Sequence, residues 1–323
     1  MNAKHPLFGV ILIFGFTLCS VFAYLSVKHV FLIDPSISPI NAIFWGFLGA
    51  TIVSGFFNCS RKKERKLVQQ EWSKHKKLII TISIMSGIGA ILWAWSLHIA
   101  SAGTVGLIGR ADVLMALALG TIFLGERFSW KEIVGAIIAI CGLCVVANLP
   151  NEISLLAVGI VLCTRFLYAM QSFFVKKSGQ NLRGIPFTFC RILIMTLVLL
   201  ITVLVTGTFS VPPLILLIFL VSSQVLGAFV GRVLYFEAHK YLGIGHINLL
   251  SLLQPVLLLI GTWLLLNEPM PAQKIVGGGI LLLGLAIIVL EKWKRDDKKF
   301  SLKRIFATLR GKKDDLENPV DLS

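Results

Sequence analysis

Apolar runs about as long as a bilayer is thick dominate the chain, and short polar or Pro/Gly-bearing turns separate them. A helix needs roughly 20 mostly apolar residues to cross a hydrocarbon layer about 30 Å deep. Ten windows meet that length: residues 7–30, 39–57, 78–100, 104–125, 130–148, 153–175, 185–207, 213–238, 244–267 and 273–291. The pattern predicts an all-α polytopic membrane protein of ten transmembrane helices, with little chain left for a soluble domain. The first window follows Lys4 and His5, as a signal peptide would. It runs on to Val30, past the roughly 7–15 residues of a cleaved segment, so it is expected to stay in the mature protein.

Composition agrees with this reading. Of 323 residues, 56% are hydrophobic and 15% charged, and the mean hydropathy is +0.85, more apolar than a soluble core requires. The net charge of +15 would suit nucleic acid, so its placement decides. Numbered from the N-terminus, the even connections hold Arg61, Lys62, Lys63, Arg65, Lys66, Lys74, Lys76 and Lys77, then Arg127 and Lys131, then Lys176, Lys177 and Arg183, then Lys240. The odd connections, 31–38, 101–103, 149–152, 208–212 and 268–272, contain no Lys or Arg. Excess Lys and Arg mark the cytoplasmic side, which places both termini inside an inner (plasma) membrane. The charge is a topology signal, and no nucleic-acid partner is expected.

The tail, 292–323, is rich in Lys and Arg up to Lys313. Its Leu302, Ile305, Phe306 and Leu309 recur at helical spacing, which fits an amphipathic helix on anionic inner-leaflet lipids, with a solvated disordered tail as the alternative. The six cysteines lie in or beside the windows, where a small weakly polar side chain packs well. Cys141 and Cys144 mimic a redox pair only in spacing, and they are read as packing residues.

One turn occurs twice. ERFSWKEIVG begins at Glu126 and EPMPAQKIVG at Glu268, a spacing of 268 − 126 = 142 residues. The register extends without a gap: Gly89 meets Gly231, Gly103 meets Gly245, Leu107 meets Leu249, Gly135 meets Gly277 and Gly142 meets Gly284. A looser echo at 144 pairs Gly15 with Gly159, Cys19 with Cys163 and Tyr24 with Tyr168. Five windows separate the copies, an odd number, so the second copy must be inverted in the membrane. The expected organisation is a first five-span repeat over 1–148, a second, inverted one over 149–291, and the basic tail. Two halves of opposite orientation can rock about a shared central site, the geometry of a carrier.

WAWSLHIASAGTVGLIGRADVL at 93–114, FLGERFSW at 123–130 and YFEAHKYLGIGHINLLSLLQPVLLLIGTWLLLNEPM at 235–270, the last followed by KIVGGGILLLG, carry a resemblance. Over about residues 7–291 the chain resembles the EamA-type drug/metabolite transporter superfamily. The resemblance implies a cavity lined by spans one to four and six to nine, with spans five and ten outside it. It implies a metabolite or drug as substrate and does not choose among amino acids, nucleobases, polyamines, nucleotide sugars and drugs. The first half departs from the pattern at Val113, which stands where Pro255 does in the second, and at Asp112, which stands where Gln254 does. The two gates are therefore not expected to be mirror images.

Ionisable groups within spans are expensive in lipid, roughly 2.5–3.5 kcal/mol each on insertion scales, so they must face one another or water. The informative ones are Arg110, Asp112, Arg165, Arg191, Arg232 and Glu237. Arg165 falls 12 residues past Ile153, roughly 18 Å along a helix and near mid-bilayer. With Tyr168 and Ser172 on its face, it is the expected central substrate contact. Arg110 and Asp112, at i and i+2, point apart and each needs a partner elsewhere. Arg232, Tyr235 and His239 share a face of span eight, with Gln254 nearby. Arg191 is read as structural or snorkelling, and Glu237 as solvated. Trp93, aligned with Tyr235 through the repeat, is preferred to Trp95 as a cavity wall.

Four arginines against two carboxylates point to an organic anion or a zwitterion, such as an amino acid or a phosphorylated metabolite. The expected function is a secondary transporter working by alternating access, without cofactor or metal and without enzymatic activity. No P-loop follows the Gly277–Gly279 run, and no His-x-x-x-His or paired carboxylate occurs. The alternatives are a drug or cationic-solute exporter of the same fold and a non-transporting membrane scaffold. A homodimer is compatible with the sequence, which leaves oligomeric state and coupling ion open.

Overall fold

The computed structural model describes residues 6–309 apart from 61, 125–128, 148–153, 178–183, 239–240 and 243. All secondary structure among the described residues is helical. In chain order the helices are α1 (Pro6–Ile33), α2 (Pro39–Cys59), α3 (Lys62–Ile99), α4 (Ala102–Ile108), α5 (Ala111–Leu124), α6 (Trp130–Ala147) and α7 (Leu155–Lys177). They continue with α8 (Gly184–Val205), α9 (Leu214–Gln224), a π-helical turn (Val225–Val230), α10 (Gly231–Ala238), α11 (Ile244–Ser251), α12 (Leu253–Leu266) and α13 (Ala272–Leu309). Among the described residues, eight stretches are long and apolar enough to cross a membrane: Leu7–Ile33, Pro39–Cys59, Lys62–Ile99, Trp130–Ala147, Gly184–Val205, Leu214–Ala238, His246–Leu266 and Ala272–Glu291. Leu155–Gln171 is a shorter apolar helix. The chain is a multi-pass membrane protein, helical throughout the secondary structure of its described residues.

The windows and the helices differ where the backbone is interrupted. Window 104–125 holds two helices, α4 and α5, parted at Gly109–Arg110, and neither is long enough to span alone. Window 244–267 is parted at Leu252 between α11 and α12. Both breaks use tight turns: Arg110 N–H donates to the Leu107 carbonyl at 3.0 Å, and Leu252 N–H to the Leu249 carbonyl at 3.1 Å. Window-averaged hydropathy does not register such breaks, because the flanking residues stay largely apolar while three-residue bonds replace the α-helical ladder. α3 starts at Lys62, well before the window at 78, and bends at His75 (φ −125°, ψ 16°). α13 runs on as helix to Leu309, so the backbone under the basic tail's apolar stripe is helical.

Local chemistry explains several ends. Pro39, with no N–H to lose, opens α2. Ser101 caps α4, its Oγ accepting the Thr104 N–H at 3.2 Å. α12 stops at Asn267, which takes the left-handed conformation (φ 50°) that asparagine tolerates better than most residues. The reversed chain sends the Glu268 N–H back to the Thr262 carbonyl at 3.1 Å and turns the Glu268 side chain toward α4. Its Oε1 accepts the Ala102 N–H at 2.8 Å and its Oε2 the Gly103 N–H at 3.3 Å, so a carboxylate meets the positive end of a helix.

The same end of the bundle buries two lysines. Lys28 on α1 donates to the Leu97 and Ala100 carbonyls at 2.9 and 2.8 Å, covering the end of α3. Lys274, fully buried at the start of α13, donates to Ser101 Oγ at 3.0 Å and to the Pro269 carbonyl at 3.3 Å. Large apolar side chains meanwhile face outward, among them Phe56, Ile201 and Leu264. Hydrocarbon, rather than water, suits such a surface.

α6 and α13 pack at glycine contacts. A Cβ on Gly135 would lie 2.8 Å from the Gly284 carbonyl oxygen, and one on Gly142 would lie 2.8 Å from that of Gly277. Only hydrogen at these positions lets the two backbones approach so closely.

Candidate functional site

The break between α4 and α5 organises the candidate site. A helix that stops and restarts leaves backbone groups without their usual partners, and polar side chains from three other helices gather there. Arg110 Nη2 donates to the Ser251 carbonyl at 2.8 Å and to Gln254 Oε1 at 2.6 Å. Arg110, at one break, thus serves a carbonyl freed at the other. This is the partner the sequence required of Arg110 without naming it.

Arg165 on α7 reaches the other side of the break. Its Nη2 donates to the Tyr24 hydroxyl of α1 in a close hydrogen bond, and its guanidinium carbon lies 6.0 Å from the centre of the Tyr168 ring. Gly109 makes room for it, since a Cβ there would sit 2.6 Å from Arg165 Nη2 and 2.8 Å from Nε. Glycine is needed here because a charged plane lies flat against the chain, and φ is an ordinary −56°. Tyr24 packs edge-on to Trp93 with ring centres 5.1 Å apart. Gly89 on α3 similarly admits the Tyr168 ring, whose Cε1 would lie 2.8 Å from an added Cβ.

Two atoms of this cluster are buried without a hydrogen-bond partner among the described residues, Arg165 Nε and Asp112 Oδ1. One is a donor on a cation and the other an acceptor on an anion. The two side chains lie on helices that pack together, α7 and α5, within electrostatic reach of each other.

Arg165, Tyr168, Arg110, Asp112, Trp93 and Gln254 therefore gather around the breaks. Tyr235 and Arg232 lie on α10 against α1, with Tyr235 packed on Phe16 at 5.1 Å between ring centres. Trp93 is buried, whereas Trp95 is exposed and stacks edge-on against His98 at 6.0 Å. Arg191 is buried in α8 at 8% exposure, so it does not snorkel. His239 and Glu126 lie outside the described residues, as does the side chain of Ser172.

The sequence reading missed Tyr24, Gly109 and Ser251, and it missed the buried Lys28, Glu268 and Lys274. Tyr24 carried a signal, since the echo at 144 already paired it with Tyr168. Ser251 contributes only a backbone oxygen, and its signal was Pro255 four residues on, which has no N–H to bond that carbonyl. A second polar pair, Ser86 Oγ donating to Gln171 Oε1 at 2.6 Å, joins α3 to α7 beside the cluster.

Comparison with known proteins places this architecture. A curated relative, the "Uncharacterized transporter sll1164" of Synechocystis sp. (strain ATCC 27184 / PCC 6803 / Kazusa), is 27% identical over 275 residues, covering 80% of this chain and 78% of the relative. A crystal structure described only as that of a "protein" matches with a TM-score of 0.61 at 14% identity, over 87% of this chain and 96% of that one. At that identity the likeness concerns the fold alone. The EamA-like transporter family matches residues 7–148 and again 155–290. The chain belongs to the EamA-like transporter family.

Proposed function

We propose that the protein is a secondary carrier of a small zwitterionic metabolite, an anionic group of the solute meeting Arg165 and a cationic or hydrogen-bond-donating group meeting Asp112. The observation that carries this reading is the pair of buried, unpartnered atoms, Arg165 Nε and Asp112 Oδ1. A buried polar atom left without a hydrogen bond costs about 1–3 kcal/mol, more on a charged group, and a solute bearing both complements relieves both at once. The excess of arginine points less strongly to a plain anion, because Arg110 is already committed to Ser251 and Gln254.

Alternating access is supported by the way the breaks and contacts repeat. The breaks at Arg110 and Leu252 differ by 252 − 110 = 142, the spacing of the sequence repeat. That spacing maps Gly135 onto Gly277 and Gly142 onto Gly284, and it exchanges the two glycine contacts between α6 and α13. A two-fold axis between inverted halves, 1–148 and 149–291, accounts for both. On this reading ten passes, two of them broken, cross an inner membrane with both termini in the cytoplasm. Discontinuous helices meeting at mid-membrane are a common way for carriers to expose polar backbone to a solute.

The test is a thermal-shift and liposome-uptake screen of zwitterionic, anionic, cationic and neutral metabolites. Zwitterions are expected to bind, Asp112→Asn to weaken them while sparing simple anions, and Arg165→Ala to remove both. Binding confined to lipophilic cations would replace this reading with a cation exporter. Loss of function with intact solute flux on deleting 296–323 would favour a scaffold.

A further inference from the structure

We infer that the cytoplasm-side arm of α3, residues 62–77, is a docking surface for anionic phospholipid headgroups. This goes beyond solute transport and is separate from the basic tail. The arm lies between two apolar spans. α2 ends at Cys59, and the apolar part of α3 begins at Leu78, so both ends of the arm are held at the same membrane edge. Arg65 adds a pin at the first end by donating to the Cys59 carbonyl.

The two sides of the arm differ in chemistry. Toward the bundle it packs Val68 and Trp72 against a cluster that contains Phe187 and Cys190 of α8. Glu71 and His75 are buried on that side, 3.9 Å apart, and Glu64 is only partly exposed. The outer side is exposed at Lys62, Lys63 and Lys66 and again at Lys74, Lys76 and Lys77. None of these six lysines forms an ion pair among the described residues, and no acidic side chain of the arm is fully exposed beside them.

The neighbouring apolar surface says which partner the lysines meet. Above the kink at His75, Ile80 follows Lys76 and Lys77 at i+4 and i+3, and Ile84 and Ile88 continue the column. All three isoleucines are exposed, so the face that meets acyl chains above becomes cationic just below. Lipid headgroups occupy that depth, and an anionic one supplies the missing charge. Phe56 and Phe57, exposed at the end of α2, extend the apolar border at the arm's other end. Juxtamembrane lysines attract anionic leaflets additively, so six on one face are enough to select among lipids.

The experiment equilibrates the full-length protein, tail intact, in mixed micelles of phosphatidylglycerol and phosphatidylcholine, then quantifies co-purified lipid by mass spectrometry. Wild type is expected to enrich phosphatidylglycerol several-fold. Substituting Lys62, Lys63, Lys66, Lys74, Lys76 and Lys77 with Gln should reduce that enrichment, and substituting the same six with Arg should preserve it. Inorganic phosphate at matched ionic strength should compete no better than chloride. Helicity and solute binding in neutral lipid check that the variants fold. If the Gln set misfolds, its two halves, Lys62/Lys63/Lys66 and Lys74/Lys76/Lys77, are tested separately. Enrichment equal to wild type in the folded Gln variants overturns the inference, as does displacement by free phosphate.

Discussion

Replacing Gly109 with alanine separates the role of Arg165 in binding from any role in stability. An added Cβ would sit 2.6 Å from Arg165 Nη2, and ordinary contact begins at 3.4 Å, so the guanidinium must retreat by 3.4 − 2.6 = 0.8 Å. The obstruction is the end of a flexible side chain, and the backbone at φ −56°, ψ −22° accepts alanine without strain. Alanine gains about 0.5–1 kcal/mol over glycine in helical backbone. The displaced Arg165 loses its bond to Tyr24, about 1.5–3 kcal/mol for a hydrogen bond to a charged group. Stability should fall by no more than about 2.5 kcal/mol. A solute group held by the same guanidinium loses alignment on a similar scale, about 10- to 150-fold in Kd. The assay is calorimetric titration of purified protein with the best solute from the screen, beside a melt without solute. Gly159→Ala on α7 is the control, because nothing lies within 4 Å of its added Cβ. Wild-type affinity in Gly109→Ala would refute the placement of Arg165 as the anion contact.

Two further substitutions address the framework. Glu268→Ala removes the carboxylate that caps α4 and should cost about 1–2 kcal/mol in a denaturant or thermal melt, with Glu268→Gln losing less; an unchanged melt would remove the cap from the account. Gly284→Ala places a Cβ 2.5 Å from the Gly135 carbonyl oxygen, where neither backbone can yield, and should destabilise by about 1–3 kcal/mol. Gly279→Ala in the same helix, open within 4 Å, should not destabilise and should gain about 0.5–1 kcal/mol from the helical backbone.

Length and hydropathy were enough to read this chain as helical and membrane-spanning, because the bilayer imposes a single period and a minimum run. They did not show that Gly109–Arg110 and Leu252 break their helices, since Arg110 adds a single charge to a stretch that stays apolar on average and Leu252 adds none. Arg165 and Asp112 stood out because an intramembrane charge always demands an explanation. Tyr24 did not, since a tyrosine in a span is inexpensive and its partner lies 141 residues away. Lys28 and Lys274 went unremarked for a related reason. Each sits near a window's end, where a lysine ordinarily reaches water, and only the folded chain shows them turned inward onto carbonyls.

The most direct test of the account is the sidedness of two connections. In a background without native cysteines, Lys131→Cys at the start of α6 and Pro269→Cys after α12 each place a thiol at an exposed position. A membrane-impermeant maleimide applied to sealed, oriented vesicles should label the two from opposite faces, with Lys131→Cys reached from the cytoplasmic side. Labelling of both from the same face would contradict the inverted halves, and with them the shared central site.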